Sequence, residues 1–163
     1  MDSGARAGQL AAMQQDASSP DIAEPAESFA EVLGYHIERW EDGLAILEAE
    51  VQRHHLNRNL MLHGGVLVSL IDSACGFSGL WAARPGFIRR GLTLSLTTQF
   101  IGPARLGQTL RVEARKTGGG RSLFFSAATV TCGERLVGRG EGVFRYRRGS
   151  ETPEGGDPVH AAP

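Results

Sequence analysis

The chain has 163 residues, enough for one domain with a buried core and too few for two of ordinary size. A formal net charge of −1 argues against a dedicated nucleic-acid binder, yet residues 1–83 hold 4 Lys/Arg against 12 Asp/Glu (net −8) while residues 84–163 hold 13 against 6 (net +7). The basic half could receive an anionic ligand, or its arginines could simply line the solvent face of strands.

Residues 1–22 are small and polar without period, and residues 149–163 are rich in Pro, Gly and acids; both are expected to be disordered tails around one domain over 23–148. Over 25–33 the apolar residues Phe29, Val32 and Leu33 share a helical face, and Gly34 stands where a helix stop is wanted. The period then changes, and two runs of β character, 35–41 and 44–52, flank Asp42-Gly43, a dipeptide suited to a tight hairpin turn. After Asn57 the chain is apolar for too long to be a strand, and Arg84-Pro85-Gly86 ends the run, so the pattern predicts one helix over about 65–82.

Four β-rich runs follow. In 92–101, Leu92, Leu94, Leu96 and Phe100 occupy one row and Thr93, Ser95, Thr97 and Gln99 the other, the alternation of a half-buried strand. Runs at 109–116, 121–132 and 135–147 are separated by turns too short for helical crossovers, which predicts antiparallel pairing as a four-strand meander. The predicted architecture is α+β: an antiparallel six-stranded sheet wrapped around one long central helix. Such a sheet covers only one side of a helix that is apolar nearly all round, so a second subunit is expected on the other.

Between Gly64 and Ala83 the only side chain charged at neutral pH is that of Asp72. A carboxylate in an apolar helix needs a compensating partner, and Asp is a mediocre residue in mid-helix. It is a structural residue bonded to backbone or to the hydroxyl of Ser69, Ser73 or a strand threonine, or one that merely reaches solvent, or a base or nucleophile whose desolvation is its purpose. Upstream, His63-Gly64-Gly65 precedes the first helical turn, where amide N–H groups lack intrahelical partners and the dipole is positive. Such a terminus suits a carbonyl oxygen gaining charge, although a glycine pair can also serve only close packing. Gly64 and Asp72 are eight residues apart, roughly 12 Å along a helix at about 1.5 Å per residue. One carbonyl cannot touch both, so joint action requires Asp72 of one subunit and Gly64 of another across a twofold axis.

Cys75 lies three residues past Asp72 with no helical His to activate it, which favours a packed small hydrophobe. His54, His55 and His63 lack metal-ligand spacing, and no metal or cofactor is expected. Phe77 and Trp81 are expected in the core or subunit seam, where either could line an acyl tunnel. Cys75 and Cys132 show no disulfide-like spacing, and neither a signal core nor a run of about 18 apolar residues is present, so a cytoplasmic protein without a membrane partner is expected.

The run Asn57, His63-Gly64-Gly65, Asp72, followed by the strand at 91–106 and Gly120-Arg121-Ser122, resembles the PaaI-like branch of the hotdog-fold acyl-CoA thioesterases over roughly residues 30–147. The resemblance implies hydrolysis of an aryl or medium-chain acyl-CoA, with Asp72 as general base or nucleophile, the Gly64 N–H on the thioester oxygen and Asn57 positioning the thioester. It further implies that His63 shapes the loop and Thr93 orients the water, even though Thr93 stands in the polar row of its strand, opposite the leucines. It places Gly65, Arg121 and Ser122 at the substrate, the last two near the CoA phosphates or pantetheine, and implies a homodimer at minimum, with a homotetramer common. A hotdog enoyl-CoA hydratase or dehydratase and a non-catalytic acyl-CoA-binding protein are the alternatives; the HGG motif with a helical Asp fits hydrolysis better.

Overall fold

The computed structural model describes residues 28–158, so the tail expected at 1–22 lies outside the described residues. They open on a short helix, α1 (Phe29–Leu33). The Ser28 hydroxyl accepts the Glu31 N–H at its start, and Gly34 at φ 62° ends it in the left-handed conformation that costs glycine little. Its apolar residues do not act together: Leu33 is buried, whereas Phe29 and Val32 are exposed.

Strands β1 (Tyr35–Glu41) and β2 (Leu44–Glu50) form the expected hairpin around Asp42-Gly43, with Gly43 at φ 77°. A loop containing a 3₁₀ turn (Arg53–His55) leads into the long helix α2 (Gly64–Leu80). After it come β3 (Phe87–Ile88), β4 (Gly91–Phe100), β5 (Thr109–Gly119), β6 (Leu123–Cys132), β7 (Arg135–Tyr146) and β8 (Asp157–Pro158).

Six strands build one antiparallel sheet in the order β1-β2-β5-β6-β7-β4, and α2 packs across it. The expected four-strand meander therefore holds only for β5 to β7, because β4 pairs with β7 and occupies the sheet edge. The connection over 101–108 makes this possible. Its start is pinned where Ile101 and Gly102 donate to the Val137 carbonyl. It then passes the approach to α2, where Ala104 accepts the Leu62 N–H, and reaches β2 where Gly107 donates to Val51. A tight turn would have forced β4 beside β5; eight residues anchored at three points allow it to cross.

The buried face of α2 consists of Leu67, Leu70, Ile71, Ala74, Cys75, Ser78 and Gly79. It lies close to β7 because that strand presents Gly138 and Gly140, where a Cβ would stand 2.8 Å from Leu67 Cδ2 and 2.6 Å from Ile71 Cγ2 respectively. Apolar contact at this density is the main favourable term of the fold.

The segment from residue 149, expected to be a tail, is ordered structure as far as Pro158. β8 pairs with β3, Ala83 donates to the Pro153 carbonyl, and Ser150 is buried. The organising group is Arg89, only 3 % exposed. Its guanidinium donates to the carbonyls of Ser150 (2.8 Å), Glu151 (3.2 Å), Gly79 (3.3 Å) and Trp81 (3.4 Å) and lies 4.1 Å over the Tyr146 ring. One buried cation thus satisfies carbonyls at the negative end of α2 and ties the C-terminal segment to it.

Candidate active site

Asp72 lies in the middle of α2 and is half-buried, not sealed in the core. The Thr93 hydroxyl donates to its Oδ1 at 2.8 Å. This contact corrects the facing expected for β4. The register with β7 shifts between Thr93 and Ser95, so one extra residue on β4 inverts the alternation. Before the bulge, Gly91 and Thr93 face the helix: a Cβ on Gly91 would stand 3.0 Å from Leu80. After it, Leu96, opposite Gly142, faces inward, and the Phe100 ring lies beside Gly64. Leu92 and Leu94, expected on the buried face, are 58 % and 52 % exposed. A period-two reading cannot register an inserted residue, so alternation alone sets Thr93 in the polar row, whereas the family resemblance sets it beside Asp72, where the hydrogen bond lies.

Asp72 and Thr93 open onto a cavity of about 200 Å³ also lined by Tyr35, Ser73, Gly76, Phe77, Leu80 and Phe144. Its polar groups gather at the carboxylate and its remainder is mostly apolar. Phe77 was anticipated as a core or tunnel residue; Tyr35, Gly76, Leu80 and Phe144 were missed. Gly76 alone had a legible signal, since it follows Asp72 by four residues and so shares its helical face.

A second group of residues collects at the N-terminus of α2. His63 is the N-cap, and its Nδ1 accepts the Gly65 N–H at 2.9 Å. Val66 and Leu67 donate to the His63 carbonyl, so among the described residues the amide at the first helical position, Gly64, keeps its N–H without an internal acceptor. Asn57 Oδ1 accepts the amides of Asn59 (2.8 Å) and Met61 (3.3 Å), which shapes the loop without engaging Nδ2. His54 and His55 do not converge with His63: both rings reach the Val32 carbonyl at 2.9 Å.

Within one chain these two groups remain apart, separated by the eight residues from Gly64 to Asp72. Arg121 and Ser122 belong to neither. They are exposed on the hairpin between β5 and β6, where the Ser122 carbonyl accepts the Tyr146 N–H, at the Gly91 end of the sheet. Cys75 is fully buried, and burial pushes its thiol up to about 11, so it is neutral at physiological pH.

Residues 60–138 match the family model of the thioesterase superfamily. The protein named "Putative esterase PA0474" of Pseudomonas aeruginosa is 31 % identical over 99 residues, covering 61 % of this chain and 72 % of the relative. Human acyl-coenzyme A thioesterase 13 is 27 % identical over 89 residues, which cover 55 % of this chain and 61 % of the relative. Among solved structures, the conserved protein PA5202 of Pseudomonas aeruginosa superposes with a TM-score of 0.65 at 28 % identity, covering 74 % of this chain and 94 % of that one. No helix among the described residues is long and apolar enough to cross a membrane.

Proposed function

The chain belongs to the thioesterase superfamily of hotdog-fold hydrolases, and from that premise we propose that it hydrolyses an aryl or medium-chain acyl-CoA to the free acid and CoA. The carrying observation is the Thr93-to-Asp72 hydrogen bond at the mouth of a largely apolar cavity. With Oδ1 held by Thr93, Oδ2 is available to take a proton from water. The hydroxide equivalent adds to the thioester carbon, the tetrahedral oxyanion is received by a backbone N–H, and collapse breaks the C–S bond. The CoA thiolate leaves and the Asp72 proton is returned to it, so charge and atoms balance without a metal.

The oxyanion donor in this reading is the Gly64 N–H of a second subunit, since that of the same chain is too distant. Two features support a homodimer. β4 is an edge strand of ten residues carrying exposed Leu92, Leu94 and Phe100, a type of edge that soluble proteins rarely leave bare. The α2 face bearing Gly65, Ser69, Asp72, Ser73 and Gly76 is not buried by the chain's own sheet. Two copies joined along β4 would bring each Asp72 towards the other's helix start. Asn57 Nδ2 would position the thioester, and Arg121 with Ser122 would meet the CoA phosphates or pantetheine at the surface. The CoA ester itself is suggested by the human relative's name.

The test is CoA release from a panel of acyl-CoA esters, followed with a thiol reagent. Asp72→Asn and Asp72→Ala should keep the fold and lose about 10²-fold or more in kcat. Turnover near that of the wild type in either variant would refute the assignment. Crotonyl-CoA separates hydration from hydrolysis, because hydration consumes the enoyl absorbance without releasing thiol.

A further inference from the structure

Of the four glycines in α2, three have neighbours that a side chain would meet. A Cβ on Gly64 would press on Phe100, on Gly65 on the His63 ring, and on Gly79 into Phe124. Gly76 differs, since a Cβ there would have no heavy atom within 4 Å and its backbone is ordinary right-handed helix. Glycine inside a helix is less stable than alanine because it surrenders more backbone freedom on folding. The fold of this chain therefore gives no reason for glycine at 76. The space a side chain would enter is the cavity beside Asp72, which Gly76 lines together with Tyr35, Phe77, Leu80 and Phe144.

Resting on the hydrolase reading above, we infer that Gly76 is the specificity-determining residue for acyl size. Its missing side chain leaves room past Asp72 for an uncharged apolar tail, with Tyr35, Phe77 and Leu80 as the wall the tail meets. The substrate class that follows is an acyl group larger than acetyl and without a terminal charge, since among the described residues no cationic side chain lines the cavity to receive one. A carbon added at position 76 removes volume from the substrate and from nothing else in the chain.

The experiment compares wild type, Gly76→Ala and Gly76→Val on straight-chain acyl-CoA esters from acetyl to decanoyl, alongside melting temperature and oligomeric state. The ratio of kcat/KM for the longest accepted ester to that for acetyl-CoA should fall about tenfold in Gly76→Ala and further in Gly76→Val, the discrimination available to one or a few methylenes. Gly76→Ala should also melt higher than wild type. An unchanged chain-length profile overturns the inference. So does a lower melting temperature with loss of the oligomer, which would assign the glycine to a subunit contact. Should wild type release CoA from no ester, the hydrolase reading fails separately, and the cavity is then read from thermal shifts by straight-chain carboxylates. A shift that grows with chain length and is lost in Gly76→Ala supports the inference, and a flat profile overturns it.

Discussion

Thr93 and Cys75 show how much a single residue owes to its surroundings. Each is an ordinary polar or weakly polar side chain whose chemistry is set by one contact or by burial. Thr93 reaches Asp72 at 2.8 Å, and removing the hydroxyl while keeping the shape, as Thr93→Val, should lower kcat about tenfold with smaller change in KM. Thr93→Ser should recover most of the loss; equal defects in both variants would mean that the methyl, not the hydroxyl, matters. For Cys75, a thiol held up to about 11 by burial stays protonated through the neutral range. Native protein treated with an alkylating agent at pH 7.5 should carry the label at half-buried Cys132 first, with Cys75 labelled only on unfolding, as mass spectrometry of the peptides would reveal. Asp72 can be singled out from the chain alone because it is the sole charge in an apolar run. Alternation sets Thr93 away from it and only the family resemblance brings the two together, because the bulge that turns Thr93 inward leaves no mark in the alternation.

The long helix α2 has opposite tasks at its two ends, set by the sign of its dipole. Its N-terminus holds His63, whose imidazole occupies one orphan amide and leaves that of Gly64 free. Its C-terminus is closed by Arg89, the buried cation that also gathers residues 150 and 151. Replacing Arg89 with Met would preserve bulk but abandon several buried carbonyls, and about 3 kcal/mol of stability should be lost in denaturant unfolding. A cost below about 1 kcal/mol would mean that water replaces the guanidinium. The sequence pattern captured the helix and its start, since both depend on local spacing. The order in the segment after residue 149 was invisible there: its Pro, Gly and acidic composition is that of a tail, and the group that orders it lies some 60 residues upstream.

At the scale of the whole molecule, the proposed site exists only if two chains share it. A clean probe is Gly64→Pro, because proline suits the first helical position, where its missing N–H costs no helix bond, and the extended His63 (ψ 134°) accommodates a following proline. The nearest obstacle is the Phe100 ring, 63 % exposed and able to move. Gly64→Pro alone and Asp72→Ala alone should both be nearly inactive. Refolded together in equal amounts, they should regain about a quarter of wild-type activity, because random pairing makes half the dimers mixed and each mixed dimer holds one intact site of two. No recovery in a verified mixed dimer would place the oxyanion donor elsewhere.

Local chemistry determined the hairpin at Asp42-Gly43, the extent of α2, the strand runs and the isolation of Asp72, because periodicity and turn residues act over a few neighbours. Tertiary structure alone decided that β4 crosses to the sheet edge beside β7 and that Thr93 faces Asp72. It also decided that Gly76 opens a cavity and that Arg89 folds the C-terminal segment. Each of these depends on which surfaces meet after dozens of intervening residues, and such pairing leaves no periodic trace in the chain.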